Sequence, residues 1–170
     1  MIGITMSKLK KLSAVAGIVT VAATGLVSGA SSASAVNASF TLRPASANGM
    51  CLDVVGGQVM QWTCDGTSTQ QWYTGRDAHN HETLRNVGTG GQCLDVPGGN
   101  TNQGTSLIVY SCNNGDNQVW HRADTQYGSS FQNYPGSSYV LDLAGGSTQS
   151  GALAIIWPWN GHPNQQWQRV

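Results

Sequence analysis

The sequence predicts an all-β fold built from three copies of one unit, each with about four short strands. Three observations predict it. A Leu-Asp pair recurs at a fixed place in each copy, each copy closes with Gln-x-Trp, and no window after residue 35 keeps a helical period. The closing tryptophans, Trp72, Trp120 and Trp167, are 48 and 47 residues apart. Agreement at so many fixed offsets indicates an internal repeat.

The first 35 of the 170 residues are predicted to be a secretory signal peptide. Lys8, Lys10 and Lys11 precede an apolar run over 12–27, and small residues follow, ending at Ala35. A basic start, an apolar middle and an A-x-A end are typical of such a leader. A transmembrane anchor is the alternative, but the run is short and rich in Ala, Gly and Thr. We therefore expect a secreted, extracellular protein with no membrane insertion after cleavage.

Residues 36–170 carry 5 Arg, no Lys, 7 Asp and 1 Glu, a formal charge of −3. This balance argues against a nucleic-acid footprint and against a patch for anionic membranes. The length is that of one domain with a single core. We predict one domain over 36–170, with repeats at about 38–78, 79–126 and 127–170.

Each repeat is predicted to consist of extended segments separated by glycine-rich turns. The β-rich segments are 40–43, 107–110 and 154–157, and a glycine pair follows each repeat's aspartate. Gln and Trp of each Gln-x-Trp, two residues apart, are expected on one face of a strand. One four-stranded unit cannot bury its tryptophan alone, so the units are expected to pack on one another around a shared apolar centre.

The four cysteines are predicted to form two disulfides, because an exported chain meets an oxidising environment. The repeat pairs Cys51 with Cys64 and Cys93 with Cys112, at matching places in the first two units. The third unit has Val140 and Trp159 there, and we expect an apolar contact in place of the bond. A zinc site is the alternative, but spacings of 13 and 19 without C-x-x-C do not favour it.

The Cys-Leu-Asp-Val motif, a glycine-rich turn, an aromatic residue two places before a cysteine and Asn-Gln-x-Trp together resemble the ricin B-type lectin repeat. The same pattern is found in family 13 carbohydrate-binding modules. The resemblance covers about residues 38–170. It implies a β-trefoil, in which three lobes of four strands have pseudo-threefold symmetry. It also implies a lectin function: binding of a polysaccharide or glycan, with no cofactor or metal.

The resemblance places a sugar pocket in each lobe, made of an aspartate for vicinal hydroxyls, an aromatic platform and a polar pair. Lobes two and three are the stronger candidates. In lobe one, Thr69 replaces the asparagine, and the stretch between aspartate and second cysteine is six residues shorter than in the other lobes. The candidates are Asp95, Tyr110, Asn117 and Gln118 in lobe two, Asp142, Trp157, Asn164 and Gln165 in lobe three, and Asp53 and Trp62 in lobe one.

These residue types suit a sugar. An ionised carboxylate accepts strong charge-assisted hydrogen bonds from two hydroxyl groups, and a flat ring covers the C–H face of the sugar at little entropic cost. An amide supplies both a donor and an acceptor to a third hydroxyl. Because water competes for every bond, we expect a Kd of about 1 mM per lobe, made useful by multivalency.

Each candidate also has a structural interpretation. The aspartates precede glycine pairs and could organise turns, and the glutamines could bond backbone or the lobe's aspartate. Trp62 and Trp157 could belong to the core. His79-Asn80-His81 is interpreted as a loop, because it has too few companions for a metal site.

Two other function classes are alternatives to a lectin. A glycosidase normally needs two carboxylates about 5–10 Å apart, whereas here the repeat supplies one per lobe, so catalysis is not expected. A protein-binding trefoil, such as a protease inhibitor or an accessory subunit of a toxin or hydrolase, is the remaining alternative. Because the chain ends just past its third Gln-x-Trp, we expect a free-standing lectin or a subunit, with a hydrolase as one candidate partner.

Overall fold

The computed structural model describes residues 38–133 and 138–170, so the predicted signal peptide lies outside the described residues. Twelve short strands, joined by turns, loops and 3-10 turns, form the framework of this region. They are β1 (Leu42–Pro44), β2 (Met50–Val55), β3 (Gln58–Thr63), β4 (Trp72–Arg76), β5 (Glu82–Asn86), β6 (Cys93–Asp95), β7 (Ile108–Tyr110), β8 (Trp120–Thr125), β9 (Gly128–Asn133), β10 (Tyr139–Leu143), β11 (Ala154–Pro158) and β12 (Trp167–Arg169). The three segments predicted to be extended supply β1, β7 and β11.

The strands fall into three groups of four that pair in the same way. We call β1–β4 lobe one, β5–β8 lobe two and β9–β12 lobe three. The second and third strands of each lobe form an antiparallel hairpin. The last strand of each lobe pairs with the first strand of the next, and β12 closes onto β1. This threefold pattern confirms the predicted all-β trefoil.

The core lies where the three lobes meet. The closing tryptophans are fully buried and belong to one apolar cluster, as the repeat predicted. Burying each ring stabilises the fold by about 2–3 kcal/mol. Each indole Nε1–H also finds a buried acceptor: Trp72 donates to the carbonyl of Leu52, Trp120 to that of Leu94 and Trp167 to that of Leu141, at 3.0, 3.0 and 3.2 Å.

The Gln-x-Trp segments are not continuous strands, contrary to the sequence prediction. Each glutamine ends a 3-10 turn, and the tryptophan two residues later begins a strand. The turns are Ser68–Gln70, Asp116–Gln118 and Pro163–Gln165. The 3-10 turn is favoured over an extended segment because it lets the glutamine amide reach buried polar partners on the lobe's hairpin. A glutamine on the same strand face as the tryptophan would not reach those partners.

Both predicted disulfides are formed. Cys51 bonds to Cys64 and Cys93 to Cys112, with Cα atoms 5.1 and 5.2 Å apart. Each bond links the start of its lobe's second strand to a residue just after the third strand, at the end of the hairpin away from its turn. In lobe three, Val140 is buried while Trp159 remains 44% exposed, and both line one cavity.

Within 38–133 and 138–170, no helix is long and apolar enough to cross a membrane.

Candidate functional site

Lobe three holds a cavity of about 260 Å³ beside the end of β10. Asp142, the penultimate residue of β10, lies opposite Ile155 on β11, and Trp157 follows two residues later on the same strand face. All three line the cavity together with Asn164. The Asn164 amide donates to Asp142 Oδ1 at 2.8 Å. The structure therefore brings the predicted carboxylate, aromatic ring and amide into one pocket.

Lobe two holds the corresponding cavity, of about 410 Å³. Asp95 ends β6 opposite Ile108, and Tyr110 follows on β7. Both line the cavity, as does Asn117, whose amide donates to the carbonyl of Val96 at 3.0 Å. The pocket also has a floor of glycine backbone from the 3-10 turn Pro97–Gly99, where Gly98 and Gly99 both adopt φ of 63°.

The predicted glutamines lie behind the pockets and not in them. Gln118 is 1% exposed and Gln165 is fully buried. Each donates to the second oxygen of its lobe's aspartate, at 2.6 Å for Asp95 and 2.7 Å for Asp142. Each also donates to one backbone carbonyl and accepts one backbone N–H. Their geometry is that of positioning residues, which fix the carboxylate, and it agrees with the structural alternative considered from sequence.

Both pocket aspartates have perturbed acidity. Burial raises the pKa of Asp95 and of Asp142 above the ordinary value, because a charged carboxylate loses solvation there. The amide bonds from the neighbouring asparagine and glutamine oppose this rise. In lobe three, the charge of His162 opposes it further. A buried carboxylate that still lines an open cavity is a strong acceptor for any hydroxyl that enters.

The two aromatic rings differ in what covers them. The lobe-two segment 100–106, which we call the lobe-two loop, crosses to lobe three, where the N–H of Gly104 donates to the carbonyl of Ile156 at 2.9 Å. A side-chain carbon at Gly104 would lie only 3.8 Å from the Trp157 ring, which is half-buried. Tyr110 is 54% exposed. The lobe-two loop therefore covers the Trp157 ring of lobe three.

The corresponding lobe-three segment, 147–153, crosses to lobe one in the same way. The N–H of Gly151 donates to the carbonyl of Gln61, and a side-chain carbon at Gly151 would lie 3.6 Å from the Trp62 ring. Lobe one has no such loop, because Gly56 and Gly57 join β2 directly to β3. Gly57 corresponds to Thr105 of the lobe-two loop, since the carbonyl of each accepts a strand N–H of the next lobe, from Val109 and from Ile156. Because lobe one lacks these loop residues, no lobe-one loop covers the Tyr110 ring of lobe two.

Lobe one has a reduced version of the pocket. Gln70 donates to Asp53 Oδ2 at 2.9 Å, as its counterparts do. However, Asp53 Oδ1 accepts the N–H of Val54 at 2.6 Å, whereas Asp142 Oδ1 accepts a side-chain amide. The short hairpin also removes the 3-10 turn that forms a pocket floor in the other lobes. Trp62 is 40% exposed, so it is not a core residue.

Three pocket residues were missed by the sequence analysis. Asn113 and Asn160 line the lobe-two and lobe-three cavities, and the backbone N–H of each donates to the positioning glutamine. The signal for them was present, since each stands four residues before its lobe's Asn-Gln pair. His162 also lines the lobe-three cavity, where lobe two has Gly115. A single histidine outside the repeat carries no such signal.

The fold is a β-trefoil, and lobes two and three each hold a cavity lined by an aspartate and an aromatic ring. Residues 38–167 match the family model of the ricin-type beta-trefoil lectin domain. The chain belongs to this family, and the resemblance inferred from its repeats is confirmed.

Several solved structures share the fold. A designed 3-fold symmetric protein, ThreeFoil, is 31% identical with a TM-score of 0.70, over 78% of this chain and 97% of that one. A ricin B-like lectin of Macrolepiota procera, solved with lactose, is 23% identical with a TM-score of 0.65, over 78% and 94%. An exo-beta-1,3-galactanase of Clostridium thermocellum is 29% identical with a TM-score of 0.64, over 78% of this chain and 30% of the enzyme. A search of curated proteins gave no sequence match.

Proposed function

We propose that the protein is a secreted, non-catalytic lectin that binds sugar units of polysaccharides or glycans through lobes two and three. One observation carries the proposal: in both lobes, a carboxylate held by a buried glutamine lines an open cavity beside an aromatic ring. The two pockets use the same residue types in the same order, which a set of turn-forming aspartates does not require.

The pocket geometry matches the groups of a pyranose. The carboxylate accepts vicinal hydroxyls, and Asn117 or Asn164 supplies an amide beside it. Tyr110 or Trp157 stacks on the C–H face. Water competes for every hydrogen bond in an open pocket, so the net energy per lobe is small, about −4 kcal/mol or a Kd of about 1 mM. Two lobes on one polymer gain affinity through effective concentration.

The non-catalytic part of the proposal rests on the carboxylates. Asp95 is the one acidic residue that lines the lobe-two cavity, and Asp142 is the one in lobe three. Glycoside hydrolysis normally uses two carboxylates flanking the same bond. A site with one carboxylate supports binding, and any hydrolase activity would come from a partner. Reducing-sugar release by the purified protein from any bound polysaccharide would contradict this part.

The test of binding is a glycan array and polysaccharide pull-down with wild type and an Asp95→Asn/Asp142→Asn double variant. Asparagine removes the charge and keeps one oxygen that accepts the glutamine amide, whereas at position 142 the amide of Asn164 loses its acceptor. Urea unfolding of the double variant checks that its fold is retained. We expect the double variant to lose at least tenfold in polysaccharide affinity, because charge-assisted bonds contribute about 1.5–3 kcal/mol. Asp116→Asn, an exposed carboxylate outside both cavities, is the matched control. Equal binding by the double variant would overturn the proposal.

Secretion is part of the same proposal and rests on the leader pattern and the two disulfides. N-terminal sequencing of protein recovered from culture medium is expected to begin at Val36. Recovery of the full-length chain inside cells alone would contradict it.

A further inference from the structure

The turn between β4 and β5 brings together three side chains that suit a transition metal. Sequence analysis interpreted His79-Asn80-His81 as a loop, and it is one. The companion that it missed is Asp77. The metal-ligating atoms of Asp77, His79 and His81 all lie within 4.8 Å of one another. This cluster lies outside the two sugar cavities, which other residues line.

The Asp77 carboxylate is aimed by the backbone of its own turn. Its side chain is only 3% exposed. Oδ1 accepts the backbone N–H of His79 at 2.8 Å and that of His81 at 2.7 Å. This leaves Oδ2 facing the two imidazoles, 3.0 Å from Nδ1 of His81 and 3.9 Å from Nδ1 of His79. The backbone bonds keep the carboxylate ionised and lower the pKa of Asp77, against the opposing effect of burial.

These distances fit a shared cation. Ligands at about 2.1 Å from a tetrahedral zinc ion are about 3.4 Å apart, and the two measured distances lie on either side of that value. Two imidazoles with one carboxylate are a common set for Zn²⁺ and related divalent ions, whereas Ca²⁺ and Mg²⁺ prefer oxygen ligands throughout. Three protein ligands leave a fourth position for water.

The turn is also held in place from both sides. Arg76 donates to the carbonyl of Asn80 at 2.9 Å, and Asn80 itself has a φ of 67°. The N–H of Ala78 donates to Asn114 Oδ1 of lobe two at 3.0 Å. A preorganised turn spends less entropy when the cation arrives.

From this geometry we propose that Asp77, His79 and His81 form a binding site for a zinc-class divalent cation. In the loaded state, Nδ1 of His79 and of His81 and Oδ2 of Asp77 bind the ion, and each histidine carries its ring proton on Nε2.

The experiment is a titration of the tag-free, EDTA-treated protein with Zn²⁺ by calorimetry, with the histidine ring signals followed by NMR. We expect one ion per chain and shifts confined to His79 and His81, with His121 and His162 unmoved. His79→Ala is expected to weaken binding at least tenfold, since even losing an outer partner of a metal ligand costs 10–100-fold. Its side chain is 67% exposed and no backbone bond depends on it, so folding is preserved.

Asp77→Asn is the second variant, because an amide oxygen still accepts the two backbone N–H groups while the anionic ligand is lost. It is expected to weaken binding by at least tenfold as well. His121→Ala, an exposed histidine on β8, is the matched control and should bind like wild type. Absence of saturable binding, or an unchanged affinity in His79→Ala, would show that Asp77 only organises the turn.

Discussion

Lobes two and three have corresponding aspartates and asparagines in their pockets but differ in the aromatic ring and in how exposed it is. In lobe two, Tyr110 is 54% exposed and the cavity is about 410 Å³, whereas in lobe three Trp157 is half-buried and the cavity is about 260 Å³. For the rings, the difference comes from the preceding lobe, because lobe two sends a loop onto Trp157 while lobe one sends none onto Tyr110. The cavities also differ in their lining, since His162 lines the lobe-three cavity where lobe two has Gly115. The length of the loop in one repeat therefore affects the exposure of the ring in the next.

The comparison also shows which parts of the pocket are interchangeable. The glutamine bonds to the aspartate at 2.6 and 2.7 Å in the two lobes, with the same backbone partners at equivalent positions. Lobe two adds a disulfide beside this network, and lobe three does not. The glutamine thus holds the carboxylate in the same way with or without the covalent bond, and in lobe three Asn164 adds a second amide bond to Asp142. This indicates that the amide bonds set the position of the carboxylate.

The largest expected effect is on that network. Gln118→Ala and Gln165→Ala each leave an aspartate oxygen, a backbone carbonyl and a backbone N–H without their partner. We expect each variant to lose about 2–4 kcal/mol of unfolding free energy, because unpaired buried polar groups cost about 1–3 kcal/mol each with partial relief by water. Urea unfolding measures this. Gln168→Ala, an exposed glutamine on β12, is the control.

The difference in unfolding free energy between the two glutamine variants tests whether the lobe-two disulfide helps to position the carboxylate. If the amide network alone sets the carboxylate, the two losses agree to within about 1 kcal/mol. A small loss for Gln118→Ala beside a large one for Gln165→Ala would show that the lobe-two disulfide does this work instead.

The next effect is on the aromatic platforms. Tyr110→Ala, made in an Asp142→Asn background to isolate lobe two, is expected to lower sugar affinity about fivefold, or about 1 kcal/mol. Stability should hardly change, since the ring is mostly exposed. Trp157→Ala in an Asp95→Asn background should lower affinity similarly and also cost about 1–2 kcal/mol of stability, because the ring packs on Gly104. Calorimetry and urea unfolding separate the two readouts.

A stability loss in Tyr110→Ala as large as that in Trp157→Ala would break the comparison, since it would mean that Tyr110 also packs against a covering segment.

The smallest expected effect concerns pH. Binding needs the ionised carboxylate, and the pKa of Asp95 and Asp142 is raised above 3.8, so affinity is present above the raised pKa and is lost as the pH falls through it. The interaction with His162 lowers the pKa of Asp142, and lobe two has Gly115 at the corresponding place. With His162 present, lobe three should therefore keep its sugar affinity to a lower pH than it does in the His162→Ala variant. Calorimetry in the Asp95→Asn background measures both. An acid profile unchanged by His162→Ala would remove this distinction between the lobes.

Much of the candidate site follows from the repeat. The resemblance to the ricin B-type lectin repeat placed Asp95 and Asp142 near their aromatic residues. The hairpin register agrees, because each ring stands two residues past the residue opposite its aspartate and therefore lies on the same face. The fixed offsets of the repeat could have found Asn113 and Asn160. The positioning role of Gln118 and Gln165 was one of two alternatives that the sequence left open, because a strand and a 3-10 turn of three residues cannot be told apart by period over so short a segment. His162 and Asp77 did not follow either, since neither belongs to the repeat.

By itself, the sequence predicted the all-β threefold repeat and the disulfide pairs from spacing that recurs between repeats. It predicted the trefoil and the aspartate-and-ring pairs through its resemblance to the ricin B-type lectin repeat. Only the tertiary structure decided which ring is covered, that the glutamines hold the carboxylates from behind, and that Asp77 faces two imidazoles. The covering depends on loops that cross from one lobe to the next, and the other two depend on where a turn aims a side chain. Neither a contact between lobes nor the direction of a side chain in a tight turn has a periodic signature in the chain.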